Sequence, residues 1–306
     1  MSCLVSLCIP TNGVIEWIFP VLDSIYEQNI DDGLFEVNIC DNGNNELFQM
    51  KMIEYCSKHD NIHYKRTDKL LFLSEPEAYK MASGKFIKFI NHRTKLRFGT
   101  LQYFIDYAEK YENEIQPPII YFSNNTLHME DSIVRYETFS EFVHGLQIYG
   151  TWSTGMAIWK KDFENIPSDE KYNELFPHTN ILFRERNRIY IIDDKKLIDE
   201  IPSSHTKKGE YDLFYAFGVE WLFILMKLMR EDAISMQDFF YLKNETLKFC
   251  INLAIDFLIY KYPCSYDVSS FETSMQVFYN LDDVKDKIFM EVTRRVKDKY
   301  DKKSVD

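Results

Sequence analysis

Short apolar runs alternate with amphipathic ones from residue 3 to residue 111, and no other feature of this chain restricts its fold as much. Residues 3–9 are apolar, end at Pro10 and predict a strand. Residues 15–28 repeat apolar side chains at helical spacing, with Ile18, Val21, Leu22 and Ile25 on one face. Residues 35–40 predict a second strand, closed by the polar loop Asp41-Asn42-Gly43-Asn44-Asn45. A helix over 47–58 and a short strand over 62–65 follow. Residues 76–83 predict a helix that stops at Gly84, a favourable C-terminal cap. A strand over 86–90 and a helix over 99–111 complete the series. Such alternation predicts an α/β domain: an open, twisted, mostly parallel sheet flanked by helices. Ligands of these sheets bind beyond the carboxyl ends of the strands. Here those ends are Pro10-Thr11-Asn12, Asp41-Asn42-Gly43 and Asn91-His92-Arg93, all polar.

The middle of the chain holds further strand-like runs: IIYFSN, SIVRYE, GMAIW and RIYIID. Beyond residue 207 the character changes, and residues 211–229, 235–260 and 284–299 predict amphipathic helices. The boundary is placed in PSSHTKKG, residues 202–209. This divides the chain into a sheet domain over 1–205 and a C-terminal helical region over 206–306.

Apolar residues make up 45% of the chain and aromatics 16%, which excludes a disordered protein. The net charge of −12 argues against nucleic acid as a partner but leaves room for a local basic pocket. Cys3, Cys8, Cys40, Cys56, Cys250 and Cys264 form no CxxC pair, and several lie in apolar runs. Reduced, buried thiols in a cytoplasmic protein are expected. No signal-peptide pattern precedes LVSLCIP, and no run reaches the ~18–20 apolar residues that span a bilayer. The richest run, residues 219–229, is broken by Glu220 and Lys227 and predicts a buried helix.

VSLCIPTNG, FEVNICDNGNN and ASGKFIKFINHRTKLRFGTL, in that order, resemble the nucleotide-binding half of family 2 glycosyltransferases with the GT-A fold. Within that family they resemble the bacterial surface-polysaccharide branch that includes abequosyltransferase-like proteins. GTWSTGMAIWKKDF and FPHTNILFRERNRIYIID resemble the acceptor-side segments more loosely. The resemblance covers residues 3–200, and the helical C-terminal region carries none of it. It implies a transferase that moves a sugar from a UDP, dTDP or CDP donor to a glycan or lipid-linked acceptor, with inversion. The implied setting is surface-polysaccharide or glycoconjugate synthesis in the cytoplasm, at the inner face of the membrane.

By this resemblance Pro10 and Thr11 at the first strand end, and Asp41 and Asn42 at the second, hold the nucleotide. Asp41 would accept hydrogen bonds from the base edge. Alone, Asp41-Asn42-Gly43 is equally good turn chemistry. The third strand end departs from the family: Asn91-His92-Arg93 stands where acids hold Mg²⁺ or Mn²⁺. Arginine does not ligate metals, and hard cations take carboxylates, so no metal is expected at this loop. Three explanations stay open. Arg93, Lys95 and Arg97 replace the metal on the diphosphate, a role that suits the guanidinium fork. Alternatively the donor carries a single phosphate, or catalysis is lost. The donor-binding candidates of this loop are therefore Asn91, His92, Arg93 and Lys95. The third explanation makes a catalytically silent binding or partner module the alternative function. A nucleotidyltransferase would carry a glycine-rich basic loop after the first strand, and Thr11-Asn12-Gly13-Val14 is not one.

Inverting transfer needs a general base. The family position for it falls on or near His178, with Glu174 either the base itself or the carboxylate that orients the imidazole. Asp193 and Asp194 are further candidates. Alone, His178 is a helix-start residue after Pro177. Trp152 and Trp159 flank Gly155, as sugar-stacking rings or as core. In the C-terminal region Trp221, Phe223, Phe239, Phe240, Tyr241 and Phe257 predict a packing layer or an oligomer contact. Residues 285–303 hold eight Lys or Arg against four acids, with Val284, Ile288, Val292 and Val296 at helical spacing. An ordinary terminal helix is expected there, with contact to an anionic membrane surface as its functional alternative.

Overall fold

The computed structural model describes residues 3–202 and 211–303. The described residues form ten strands: β1 (Val5–Thr11), β2 (Phe35–Asp41), β3 (Ile62–Arg66), β4 (Phe86–Phe89) and β5 (Thr94–Leu96), then β6 (Ile119–Phe122), β7 (Ile133–Tyr136), β8 (Ala157–Trp159), β9 (Tyr190–Asp193) and β10 (Ile198–Glu200). Between them run the helices α1 (Ile15–Tyr26), α2 (Glu46–Cys56), α3 (Ser74–Tyr79), α4 (Thr100–Tyr111), α5 (Phe139–Leu146), α6 (Lys160–Glu164) and α7 (Pro177–Leu182). The chain divides into two compact units, Met1–Pro202 and Ser203–Asp306. Of the boundary expected at 202–209, residues 203–209 lie outside the described residues.

The main sheet of the first unit has the order β3-β2-β1-β4-β8, parallel except for β8 at the β4 edge. Leu7 and Ile9 of β1, Val37 and Ile39 of β2, and the predicted α1 face Ile18, Val21, Leu22 and Ile25 belong to one buried core. Each such side chain taken fully from water contributes roughly 1.5–3 kcal/mol, so this face holds α1 to the sheet despite Pro20 inside the helix. At the amino end of the sheet, buried Glu36 accepts hydrogen bonds from Ser6 Oγ (2.6 Å), Ser83 N (2.5 Å), Ser83 Oγ (2.6 Å) and Asn38 Nδ2 (2.9 Å). Burial works to raise its pKa, but these donors outweigh it and hold the carboxyl below its ordinary range.

Two features differ from the sequence expectation. The helix expected over 76–83 is α3, which starts earlier and ends at Tyr79, so Gly84 does not cap it. Gly84 is required by close approach instead, since a Cβ there would meet Ser6 Oγ at 2.8 Å. The strand-like runs of the middle also do not all extend one sheet. β6, β9 and β7 form a separate sheet, and β5 pairs antiparallel with β10. Both arrangements are out-of-sequence pairings that no local pattern announces.

In the second unit, α8 (Leu213–Tyr215) continues through a π turn, Ala216–Glu220, into α9 (Trp221–Arg230). The long helix α10 (Met236–Ala254) opens on a Ser235–Asp238 capping box and ends in a second π turn, Ile255–Ile259. Two further helices follow, α11 (Phe271–Met275) and α12 (Leu281–Lys303). Trp221 is wholly buried and donates from Nε1 to Thr246 Oγ1 (3.1 Å), joining α9 to α10. On α12, Val284 and Ile288 are buried while Val296 is exposed, and Arg295 pairs with Glu291 and Asp256. Among the described residues no helix is long and apolar enough to cross a membrane. All six cysteines are free thiols, but only Cys8, Cys40 and Cys250 are fully buried, and Cys264 is exposed.

Candidate active site

The carboxyl ends of β1, β2 and β4 lie side by side at one edge of the sheet, the edge where parallel α/β sheets form their binding crevice. Pro10 and Thr11 close β1 beside Cys40 and Asp41 of β2. Asn42 N donates to Thr11 O (3.0 Å), and a Cβ on Gly43 would fall 2.2 Å from Asn12 O. Only glycine lets the two strand ends approach so closely. Asn42 Nδ2 donates to Lys69 O (3.1 Å) and Leu71 O (3.3 Å), drawing the loop after β3 onto the crevice. Arg66, which sequence reasoning passed over, donates from Nη2 to Gly43 O (3.2 Å). The available signal was its place at the end of a strand beside Asp41.

Asp41 sits at the predicted position, but its carboxylate is wholly buried and turned inward. Oδ1 accepts from Gly43 N (2.7 Å) and Oδ2 accepts from the Tyr64 hydroxyl (2.6 Å). In this arrangement it shapes the crevice and presents no open edge to a base. Burial, and after it Asp41, pushes the Tyr64 phenol well above its ordinary range, which keeps it a donor.

The 91–94 loop is a tight Asx turn. Asn91 Oδ1 accepts from Arg93 N (3.2 Å), and Asn91 O accepts from Thr94 N (2.9 Å) and Thr94 Oγ1 (3.0 Å). His92 Nδ1 lies 2.9 Å from Thr11 Oγ1, and its ring meets Trp17 edge-on at 4.9 Å. Burial, and then the neighbouring Arg93 cation, depress its pKa to about 3, so the imidazole is neutral at physiological pH. The Arg93 guanidinium stacks 5.7 Å from the Trp17 ring. Lys95 is exposed on β5 opposite Asp199, and Arg97 lies 3.5 Å from that same carboxylate. The three cations expected to converge on a diphosphate are therefore spread along the loop and strand. The loop also does not fit a hard divalent cation. It has no carboxylate, Asn91 Oδ1 is spent on its own turn, and Arg93 brings positive charge. Among the described residues no group of three His, Cys, Asp or Glu side chains converges.

His178 stands at the start of α7, as its Pro177 predicts. The expectation of an open base is corrected by its surroundings. The ring is 3% exposed, with Nε2 donating to Thr151 O (2.7 Å) and Nδ1 3.3 Å from Glu75 Oε2. Glu174 is exposed and does not orient the ring. Glu75 of α3, which sequence reasoning missed, lies beside the ring instead, and it accepts from the Tyr79 hydroxyl (2.5 Å). Asp193 and Asp194 are equally committed. The first accepts from the Tyr103 and Tyr107 hydroxyls (2.7 Å each) and the second from Ser123 Oγ (2.5 Å) and Met129 N (3.0 Å). Trp159 is core, its Nε1 donating to Pro118 O (2.8 Å). Trp152 is 37% exposed and remains the ring open to a ligand.

Lys88 is the other missed residue, and its signal was a lone lysine inside the apolar run FIKF. Its buried Nζ donates to Phe89 O (2.9 Å), Thr154 O (2.7 Å) and Met156 O (3.2 Å). It thereby pins residues 154–156 behind the 91–94 loop. Burial lowers its pKa to about 7, against the opposing pull of Glu75.

The sheet order, the flanking helices and the crevice define the class of the fold: GT-A. Solved structures agree. Residues 1–349 of S. aureus TarS match with a TM-score of 0.55 at 15% identity, over 83% of this chain and 72% of that one. The same protein in complex with UDP-GlcNAc matches with a TM-score of 0.57 at 16% identity, over 83% and 73%. Its complex with UDP gives 0.54 at 16%, over 83% and 72%. No family model and no curated protein matches the chain.

Proposed function

We propose that this protein is a glycosyltransferase that binds a nucleotide-activated sugar at the ends of β1, β2 and β4. The observation that carries the reading is the clasp between Thr11 and His92, which joins two strand ends across the crevice of a GT-A fold. Thr11 Oγ1 accepts from Gly13 N (3.2 Å) and so has its own proton to give to His92 Nδ1. With the protons assigned this way, neutral His92 carries its N–H on Nε2, as a donor for a phosphate oxygen. The structural neighbour TarS is crystallised with UDP-GlcNAc and with UDP, which favours a uridine donor over a dTDP or CDP one. The finer reading is family 2 transfer, with inversion, onto a glycan or lipid-linked acceptor. The setting is the cytoplasmic side of bacterial surface-polysaccharide synthesis, with little dependence on a metal. Support for the last point is the chemistry of Asn91-His92-Arg93.

Titration calorimetry with UDP, dTDP, CDP and GDP, in Mn²⁺ and in EDTA, tests this. UDP is expected to bind in both media. Binding that strictly requires metal would overturn the account of the loop. No binding of any nucleotide would overturn the enzyme reading. That result would leave a silent binding module, a reading favoured by the inward commitment of Asp41 and His178.

A further inference from the structure

The first unit carries a second concavity, of ≈ 370 Å³, away from the Thr11–His92 clasp. Its walls are the end of β5, the start of α4 and the turn after β9, and three of its side chains are the cations Arg97, Lys195 and Lys196. One carboxylate, Asp199, serves two of them, at 3.5 Å from Arg97 and 3.9 Å from Lys196. Lys195 has no carboxylate partner among the described residues, and its ammonium lies 4.1 Å from the Tyr103 ring.

This is a built arrangement. Tyr103 is fixed by its hydroxyl on buried Asp193 (2.7 Å), and the Lys195 backbone N–H is fixed on the same carboxylate (3.1 Å). Arg97 N donates to Leu197 O (2.9 Å), which joins the two walls. Three cations line this concavity, on a protein whose net charge is −12. Gly99, at the head of α4, has open space above it, so a ligand can reach the backbone there. Phe98 stands beside the cations and is 90% exposed.

We propose that this concavity binds a phosphate group carried on an organic molecule. The phosphate is held by Arg97, Lys195 and Lys196, and the organic part lies against Phe98. A guanidinium with two ammonium groups matches a phosphate, whereas an exposed aromatic ring matches the face of a sugar or an apolar chain. That the bound molecule is the acceptor of sugar transfer rests on the glycosyltransferase reading; the binding itself does not.

The test is calorimetry with phenyl phosphate and with inorganic phosphate, on the native protein, on the Arg97→Ala/Lys195→Ala double variant and on Phe98→Ala. All three positions are exposed, and their replacement leaves the core untouched. Phenyl phosphate is expected to bind tighter than inorganic phosphate. The double variant is expected to weaken both by about tenfold or more, the scale of one or two charge-assisted hydrogen bonds. Phe98→Ala is expected to erase the difference between the two probes. Equal binding to the native protein and the double variant, or no binding, overturns the site. Equal binding of the two probes to the native protein assigns it to free phosphate and overturns the role of Phe98. UDP titrated in parallel keeps its affinity in Phe98→Ala and in a Lys195→Ala single variant, so a failure here is separate from a failure of the nucleotide crevice.

Discussion

Glu75 Oε2 lies 3.3 Å from His178 Nδ1 with both side chains almost fully buried, and this contact ties α3 to α7. Nε2 donates to Thr151 O, so the imidazole is held from both sides, by a backbone carbonyl and by the neighbouring carboxylate. His178→Ala strands a buried carboxylate and is expected to cost about 3–5 kcal/mol of stability. Glu75→Ala with His178→Ala is expected to cost less than the sum of the two single changes. Urea denaturation of the three variants measures this. A His178→Ala protein of native stability that has lost only activity would restore the open-base role.

His92 makes stability fall in acid. Its folded pKa of about 3 is below its ordinary value, so between the two the unfolded chain holds a proton that the native protein lacks. Stability from this residue is complete above pH ~6.5 and is lost as the pH falls towards 3. His92→Gln is expected to flatten that part of the stability–pH curve by at most about one proton. An unchanged slope counts against the burial of the ring.

Lys88 acts in the alkaline range. Its folded pKa of about 7 is also below the ordinary lysine value, so the chain gains stability as the pH rises from 7 towards ~10.4. Lys88→Met is expected to remove that rise. It also frees the carbonyls of Thr154 and Met156, so amide exchange across residues 154–157 is expected to quicken. Exchange rates equal to the native ones would show that Lys88 does not hold the segment.

Gly43→Ala brings a methyl group 2.2 Å from a backbone oxygen that cannot step aside without opening β1 from β2. A loss of about 1–3 kcal/mol is expected, the usual scale of overpacking, with UDP affinity reduced at least tenfold. Native UDP affinity in this variant would place the nucleotide away from the Asn12–Gly43 contact.

The residues alone determined the α/β alternation, the mostly parallel character of the sheet, and which strand ends are polar. These follow from local periodicity and from the handedness of crossovers, which neighbouring residues carry. The departure at Asn91-His92-Arg93 was equally legible, because ligand chemistry belongs to residue type. Only the tertiary structure decided what each polar side chain does. Thr11 and His92 are 81 positions apart, and Asp41 finds Tyr64 across a strand pair. His178 finds Glu75 on α3 while Glu174, four residues before it, faces water. A carboxylate or imidazole in a sequence has many partners open to it. Burial removes water as the competitor and leaves each group the one partner within reach, which is set by packing and not by spacing along the chain.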